Sequence, residues 1–162
     1  MNRSDLFEGL DIWKDVKYRQ LQGTYPVIFM SFASVKTGKI EGIKTAFKWI
    51  IYNIYNEHSD IMASDLFNDN DRENFASINV RMDDDTAYIA INSLCIYLEK
   101  YYGEKAIVIL DEYDTPMQES LSFARQKPEL GGTWDEAVEF FGIFFNITFK
   151  TNANRRRSVS ST

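Results

Sequence analysis

Two short stretches of this chain are continuously apolar, and the longer stretches around them alternate apolar and polar positions at helical spacing. The first apolar run, Val27-Ile28-Phe29-Met30-Ser31-Phe32, follows Pro26 and is rich in strand formers. A short unbroken run of that kind predicts a strand buried on both faces, as in a parallel sheet. The second run covers residues 105–110 and ends in two acids, Asp111 and Glu112.

Helical periodicity fills most of the rest. Residues 4–13 predict a short helix capped by Ser4 or Asp5, with Leu6, Phe7 and Leu10 on one face. Residues 40–57 predict the next, because Ile43, Phe47, Ile50, Ile51 and Ile54 recur every three or four positions. The polar segment 58–82 reads as a surface excursion with a short helix near 71–77. Residues 84–102 carry a long stripe (Ala87, Ile91, Leu94, Cys95, Leu98, Tyr102) that Gly103 stops. Thr115 is placed as a helix cap, with Pro116 at the first helical position and Gln118 completing a capping box. Pro128, Gly131 and Gly132 make 127–133 a loop. The last helix, 134–149, has Trp134, Ala137, Val138, Phe141, Phe144 and Phe145 on its apolar face.

Buried strands alternating with amphipathic helices indicate an α/β layered fold with parallel strands. Only two strands are evident, and two make a poor sheet by themselves. Either further strands lie outside this chain or one escapes the pattern. No internal repeat is visible.

Composition narrows the class. With 162 residues, 44% of them hydrophobic and 26% charged, the chain suits one globular domain and argues against disorder. The net charge of −6 disfavours duplex nucleic acid as a partner, since phosphate binding needs a basic footprint. Arg155-Arg156-Arg157 is the one basic run, and it sits in a Ser-rich tail. A single cysteine, Cys95, rules out an intrachain disulfide and falls on an apolar helical stripe, as inert core. The first residues lack a signal-type apolar core, and no apolar run is long enough for a membrane span. A soluble cytoplasmic protein is the default expectation.

The stretch from Ala106 to Pro116 carries the chemistry. An apolar strand delivers its carboxyl end to the edge of the sheet, where open α/β folds bind ligands. Two acids there can divide the work of nucleotide hydrolysis. Asp111 would hold magnesium through its water shell, since that ion prefers oxygen ligands and dehydrates reluctantly. Glu112 would orient and deprotonate the attacking water. The competing reading is structural: acids follow a buried strand where the chain returns to solvent, and Asp114 or Thr115 caps the next helix.

A phosphate loop requires Gly, four residues, Gly, Lys, then Ser or Thr. The nearest stretch, Ala33 to Ile40, has Ala33 for the first glycine and Ile40 for the magnesium-binding hydroxyl. Gly38-Lys39 therefore reads as a turn followed by a solvated lysine. His58 is the single histidine, so no pair exists for zinc. Asp83-Asp84-Asp85 could bind a cation but more simply complements the positive end of the following helix.

Several pieces then occur in a familiar order: Leu6-Phe7-Glu8-Gly9-Leu10, Tyr25-Pro26-Val27-Ile28, Ser31-Phe32, Tyr101-Tyr102-Gly103, and Ile109-Leu110-Asp111-Glu112-Tyr113-Asp114-Thr115-Pro116. In this the chain resembles the AAA-ATPase-like family over about residues 3–154. The resemblance implies an incomplete P-loop NTPase-like three-layer fold, with ATP and magnesium as ligands. It assigns Asp111 and Glu112 to the Walker B pair, as metal-holding and catalytic acids, and gives Asp114 no clear role. Family members carry a phosphate loop upstream of the Leu-Phe-Glu-Gly-Leu segment and commonly a restriction-endonuclease-like domain downstream. On that comparison the chain is expected to be a fragment: a partial ATPase-like domain over 1–154 and a polar basic tail over 155–162. It would be inactive in hydrolysis on its own. The alternative is a non-catalytic interaction module, or one half of a split ATPase whose partner completes the domain, using the strand flanks and the Phe-rich last helix.

Overall fold

The structure, a computed structural model, describes residues 4–130 and 133–150. The expected tail at 155–162 lies outside those residues, as does the glycine pair of the 127–133 loop.

Two strands, β1 (Val27–Ser31) and β2 (Ile107–Asp111), pair in parallel, and they are the strands seen among the described residues. Val27 stands opposite Ile107 and Ser31 opposite Asp111. The ladder opens where Ile107 N–H donates to the Pro26 carbonyl at 2.9 Å. Pro26 has no N–H to contribute, so its place just before the strand costs the ladder nothing.

The inner face of the sheet is covered by long helices. Helix α3 (Ile40–Glu57) lies on β1 and packs on α5 (Asp84–Tyr102) and α7 (Thr133–Phe145). The numbering is completed by α1 (Asp11–Lys14), α2 (Val16–Leu21), α4 (Asp69–Ser77) and α6 (Thr115–Gln126). Phe47 of α3 sits at the centre of the core. Its ring meets Phe144 at 4.7 Å, Phe140 at 5.2 Å and Phe141 at 5.7 Å, all edge-on, and stacks on Phe32 at 6.3 Å. Edge-to-face pairs each add about 0.5–1.5 kcal/mol beyond area burial. Phe140, Phe141 and Phe144 of the last helix are buried in the core, so those rings are not free to meet a partner.

Both long middle helices have the bounds that periodicity predicts. Asp83 caps α5 by accepting from Thr86 N–H at 2.6 Å, and Gly103, at φ +72°, ends it in the left-handed conformation that glycine adopts without penalty. Cys95 is fully buried in the stripe, as expected. Tyr102, placed on the same stripe, is instead 52% exposed, because the last turn runs past the core. The acidic triplet at this end is divided between cap and ion pairs. Asp84 lies 2.7 Å from Lys44 and 2.8 Å from Lys48 of α3. Burial pushes the Asp84 carboxyl up, but the two ammonium groups outweigh it and hold it below the usual carboxylate range.

The excursion between α3 and α5 contains a 3-10 turn, Ser59–Ala63, and then α4. Asn68 and Asp71 form a reciprocal capping box at 2.9 and 3.1 Å. Arg72 ties the two pieces together by donating to the carbonyls of Met62 and Ser64.

Four expectations are corrected. The 4–13 helix is broken: a 3-10 turn, Ser4–Leu6, is followed by α1 and α2, and Gly9 at φ +90° interrupts the helical path. Asp15 then caps α2, accepting from Lys17 N–H at 2.9 Å. Second, the strands are buried on one face only. Ile28 and Met30 are fully buried, while Val27 is 44% and Phe29 55% exposed, so no second helical layer covers them among the described residues. The observed fold is a mostly helical α/β arrangement on a two-stranded parallel sheet. Third, Thr115 is the first residue of α6 and not its cap. Asp114 holds the cap position, and Gln118 donates to Asp114 Oδ2 at 2.7 Å. Fourth, α7 ends at Phe145 and continues as a π turn, Asn146–Lys150, and Val138 of its supposed apolar face is 43% exposed.

Candidate functional site at the strand ends

The carboxyl ends of β1 and β2 place Ser31 and Asp111 side by side. Phe32 N–H donates to the Asp111 carbonyl at 3.0 Å, so the ladder holds both chains up to this point. The Ser31 hydroxyl donates to Asp111 Oδ2 at 3.2 Å and accepts from Ala33 N–H at 3.4 Å. Asp111 is half-buried. Its carboxylate is thereby oriented by a side chain 80 positions earlier in sequence.

The chain turns sharply after Asp111. Glu112 has φ +49° and is the one non-glycine residue among those described with a positive φ. A side chain in that region costs about 1–3 kcal/mol unless its surroundings impose it. Here Thr115 does: its N–H donates to the Glu112 carbonyl at 3.1 Å, and its hydroxyl donates to Glu112 Oε2 at 3.2 Å. Thr115 is itself buried, packed at the start of α6, so the turn is clamped from the protein side while Glu112 stays exposed. Among the described residues neither Asp111 nor Glu112 forms an ion pair. Asp114, beside them in sequence, is engaged with Gln118.

Sequence reasoning placed Asp111 and Glu112 at this lip but missed Ser31 and Thr115 as their partners. The Ser31 signal was present: a single hydroxyl ends an otherwise apolar run. What it lacked was the register, which no local pattern supplies. Among the described residues, no group of three or more His, Cys, Asp or Glu side chains could hold a metal ion. The donor set here is one oriented carboxylate, one further acid and two hydroxyls. Both hydroxyls donate to these carboxylates, and the set does not make an all-protein metal cage.

The stretch from Ala33 to Ile40, weighed as a phosphate loop, serves as packing. A Cβ on Gly38 would lie 2.2 Å from Phe123 Cβ and 2.6 Å from the Glu119 carbonyl oxygen, so α6 fills the space beside this glycine. Val35 is buried and Lys39 is exposed at the start of α3, as a solvated lysine would be, but the hydrogen-bonded turn of this stretch lies at Ala33-Ser34 and not at Gly38. His58 closes the end of α3 half-buried, with its pKa lowered by burial. A groove of about 380 Å³, lined by Lys44, Tyr88, Glu139 and Phe140 among others, does not include the strand-end acids. No helix among the described residues is long and apolar enough to cross a membrane.

No curated protein and no solved structure matches the chain. The model of a family described as predicted AAA-ATPase matches residues 1–159, nearly the whole sequence, and the chain therefore belongs to that AAA-ATPase-like family.

Proposed function

We propose that the strand-end acids are the Walker-B-type lip of a nucleotide site in an ATPase-like domain. The observation that supports this most is the pairing of Ser31 with Asp111 at the carboxyl edge of a parallel sheet, which presents an oriented carboxylate where such folds bind ligands. Asp111 would hold magnesium through water, and Glu112 would position the attacking water and take its proton. Magnesium, when bound, would neutralise charge on the β- and γ-phosphates. In this reading Ser31 orients Asp111 through its bond to Oδ2, and Thr115 holds both the backbone turn and the carboxylate of the exposed Glu112.

The sequence contains no stretch of phosphate-loop form. That loop supplies the amides and the lysine that cradle phosphates. The chain by itself should therefore bind Mg-ATP weakly and not hydrolyse it. Two measurements test the reading. Titration with Mn²⁺, as a paramagnetic substitute for magnesium, should broaden the amide resonances of residues 31–33 and 111–115 first, and Asp111→Asn should remove the effect. Broadening centred elsewhere would refute the assignment. Calorimetry with Mg-ATP should show no saturation below about 1 mM, a weak regime near −4 kcal/mol. A micromolar dissociation constant that Asp111→Asn abolishes would instead keep the acids and refute the incompetence.

A further inference from the structure

The outer face of the sheet and the segment leading into it share one property: among the described residues, no helix covers their apolar side chains. Among the described residues sixteen large hydrophobic side chains are exposed, and eight of these fall between positions 6 and 29. The arm that carries α1 and α2 contributes no buried residue at all. Leu10, Ile12 and Val16 are each at least half exposed, and Leu21 is 42% exposed. Only residues 22–26 separate this arm from β1. There Val27 pairs in register with Ile107 and Phe29 with Ile109, all on the open face. Neither strand carries a lysine, an arginine or an internal acid, so the charges that usually guard a bare strand are missing.

The area decides what this surface is for. Eight side chains about half exposed, each with on the order of 150 Å² of surface, present roughly 600 Å² of apolar area. The half-buried Phe7, Trp13, Ile107 and Ile109 add to it. The total approaches the about 800 Å² per partner that a standard stable interface buries, and it lies at the upper end of the apolar surface that monomers leave open. Within one copy the arm leaves both itself and the sheet exposed. Two copies related by a two-fold axis can cover both at once, with the arm of each over the sheet of the other, and the contact then closes without leaving a free patch. We propose that the arm and the open sheet face form a reciprocal interface with a second copy of this chain.

Sedimentation velocity on the full chain across about 1–100 µM tests it. The expected result is a single species of about twice 18.9 kDa at the upper end of the range. Phe29→Asp and, separately, Leu10→Asp should each weaken the dimer at least about 100-fold, as for anchors at the centre of an interface. Both positions are exposed in the single chain, so far-UV dichroism should stay unchanged. Val138→Asp, on exposed surface of α7, should leave the dimer intact. A wild-type monomer at 100 µM would overturn the proposal and give the face to a different polypeptide. A dimer indifferent to both the sheet and the arm substitution would overturn it as well, as would heterogeneous higher aggregates.

Discussion

Ser31 and Asp111 are register partners at the ends of two parallel strands, and the serine hydroxyl donates to Asp111 Oδ2 at 3.2 Å. The bond is a neutral donor on a charged acceptor at a half-buried position. Such a bond contributes about 1–2 kcal/mol at most when solvent has access. Its larger effect is orientation. Ser31→Ala should lower the Mn²⁺ affinity of the strand end by about 5- to 30-fold, the range that corresponds to that energy. The unfolding midpoint should change little. A variant that unfolds much earlier yet binds Mn²⁺ as well as the wild type would show the serine to be purely structural.

The left-handed backbone of Glu112 gives an unusual ranking of substitutions. Glu112→Ala and Glu112→Gly both delete the carboxylate and its bond from Thr115. Alanine keeps the penalty of φ +49°, whereas glycine escapes it. Urea unfolding should find Glu112→Gly more stable than Glu112→Ala by about 1 kcal/mol, reversing the order seen inside helices. Equal stabilities would mean that the turn relaxes once the side chain is gone.

Gly38 lies where α6 approaches the start of α3 with no room for a methyl group. The nearest obstacles are Phe123 Cβ and a backbone carbonyl, neither of which can swing aside as a flexible tip would. Gly38→Ala should therefore destabilise the fold by about 1–3 kcal/mol, the usual range for overpacking. Its m-value in urea should remain that of the wild type.

Asp84 makes stability depend on acid pH. Its folded pKa lies below the ordinary value because Lys44 and Lys48 flank it, so its contribution is complete above the unfolded carboxylate pKa and is lost as pH falls through the folded one. Its side chain is about one-third exposed, which limits the gain to about 1 kcal/mol. Lys44 is shifted up, chiefly by its hydrogen bond to Asp84, so the same pair also weakens as pH rises through the folded lysine value. Asp84→Asn should flatten the loss of stability below about pH 4 relative to the wild type. An unchanged acid limb would assign that limb to other carboxylates.

The residues explain how far the sequence could be read. The strands, α3 and α5 were legible because long stripes such as Ile43-Phe47-Ile51-Ile54 meet the core along their whole length. The open sheet face was not, since Val27 and Phe29 look in sequence like any strand buried on both sides. Exposure depends on what packs from elsewhere, and no local rule reports it. Thr115 was misplaced by one position because Asp114 competes for the same cap and the geometry after Glu112 decides between them. Asp111 and Glu112 stood out through their place after an apolar run. Ser31 did not, because its meaning comes from the strand beside it.

That distance along the chain has a kinetic consequence. Ser31 and Asp111 are 80 positions apart, and no shorter route joins β1 to β2. Closing a loop of that length costs about 4 kcal/mol of chain entropy before the ladder returns anything. The helices in between carry short-range contacts that repay themselves at once, so they condense first and carry the two strands toward each other. The strand ends are therefore expected to meet after the helices between them have formed, and a substitution that slows the docking of α3 on α5 should delay the pairing of Ser31 with Asp111.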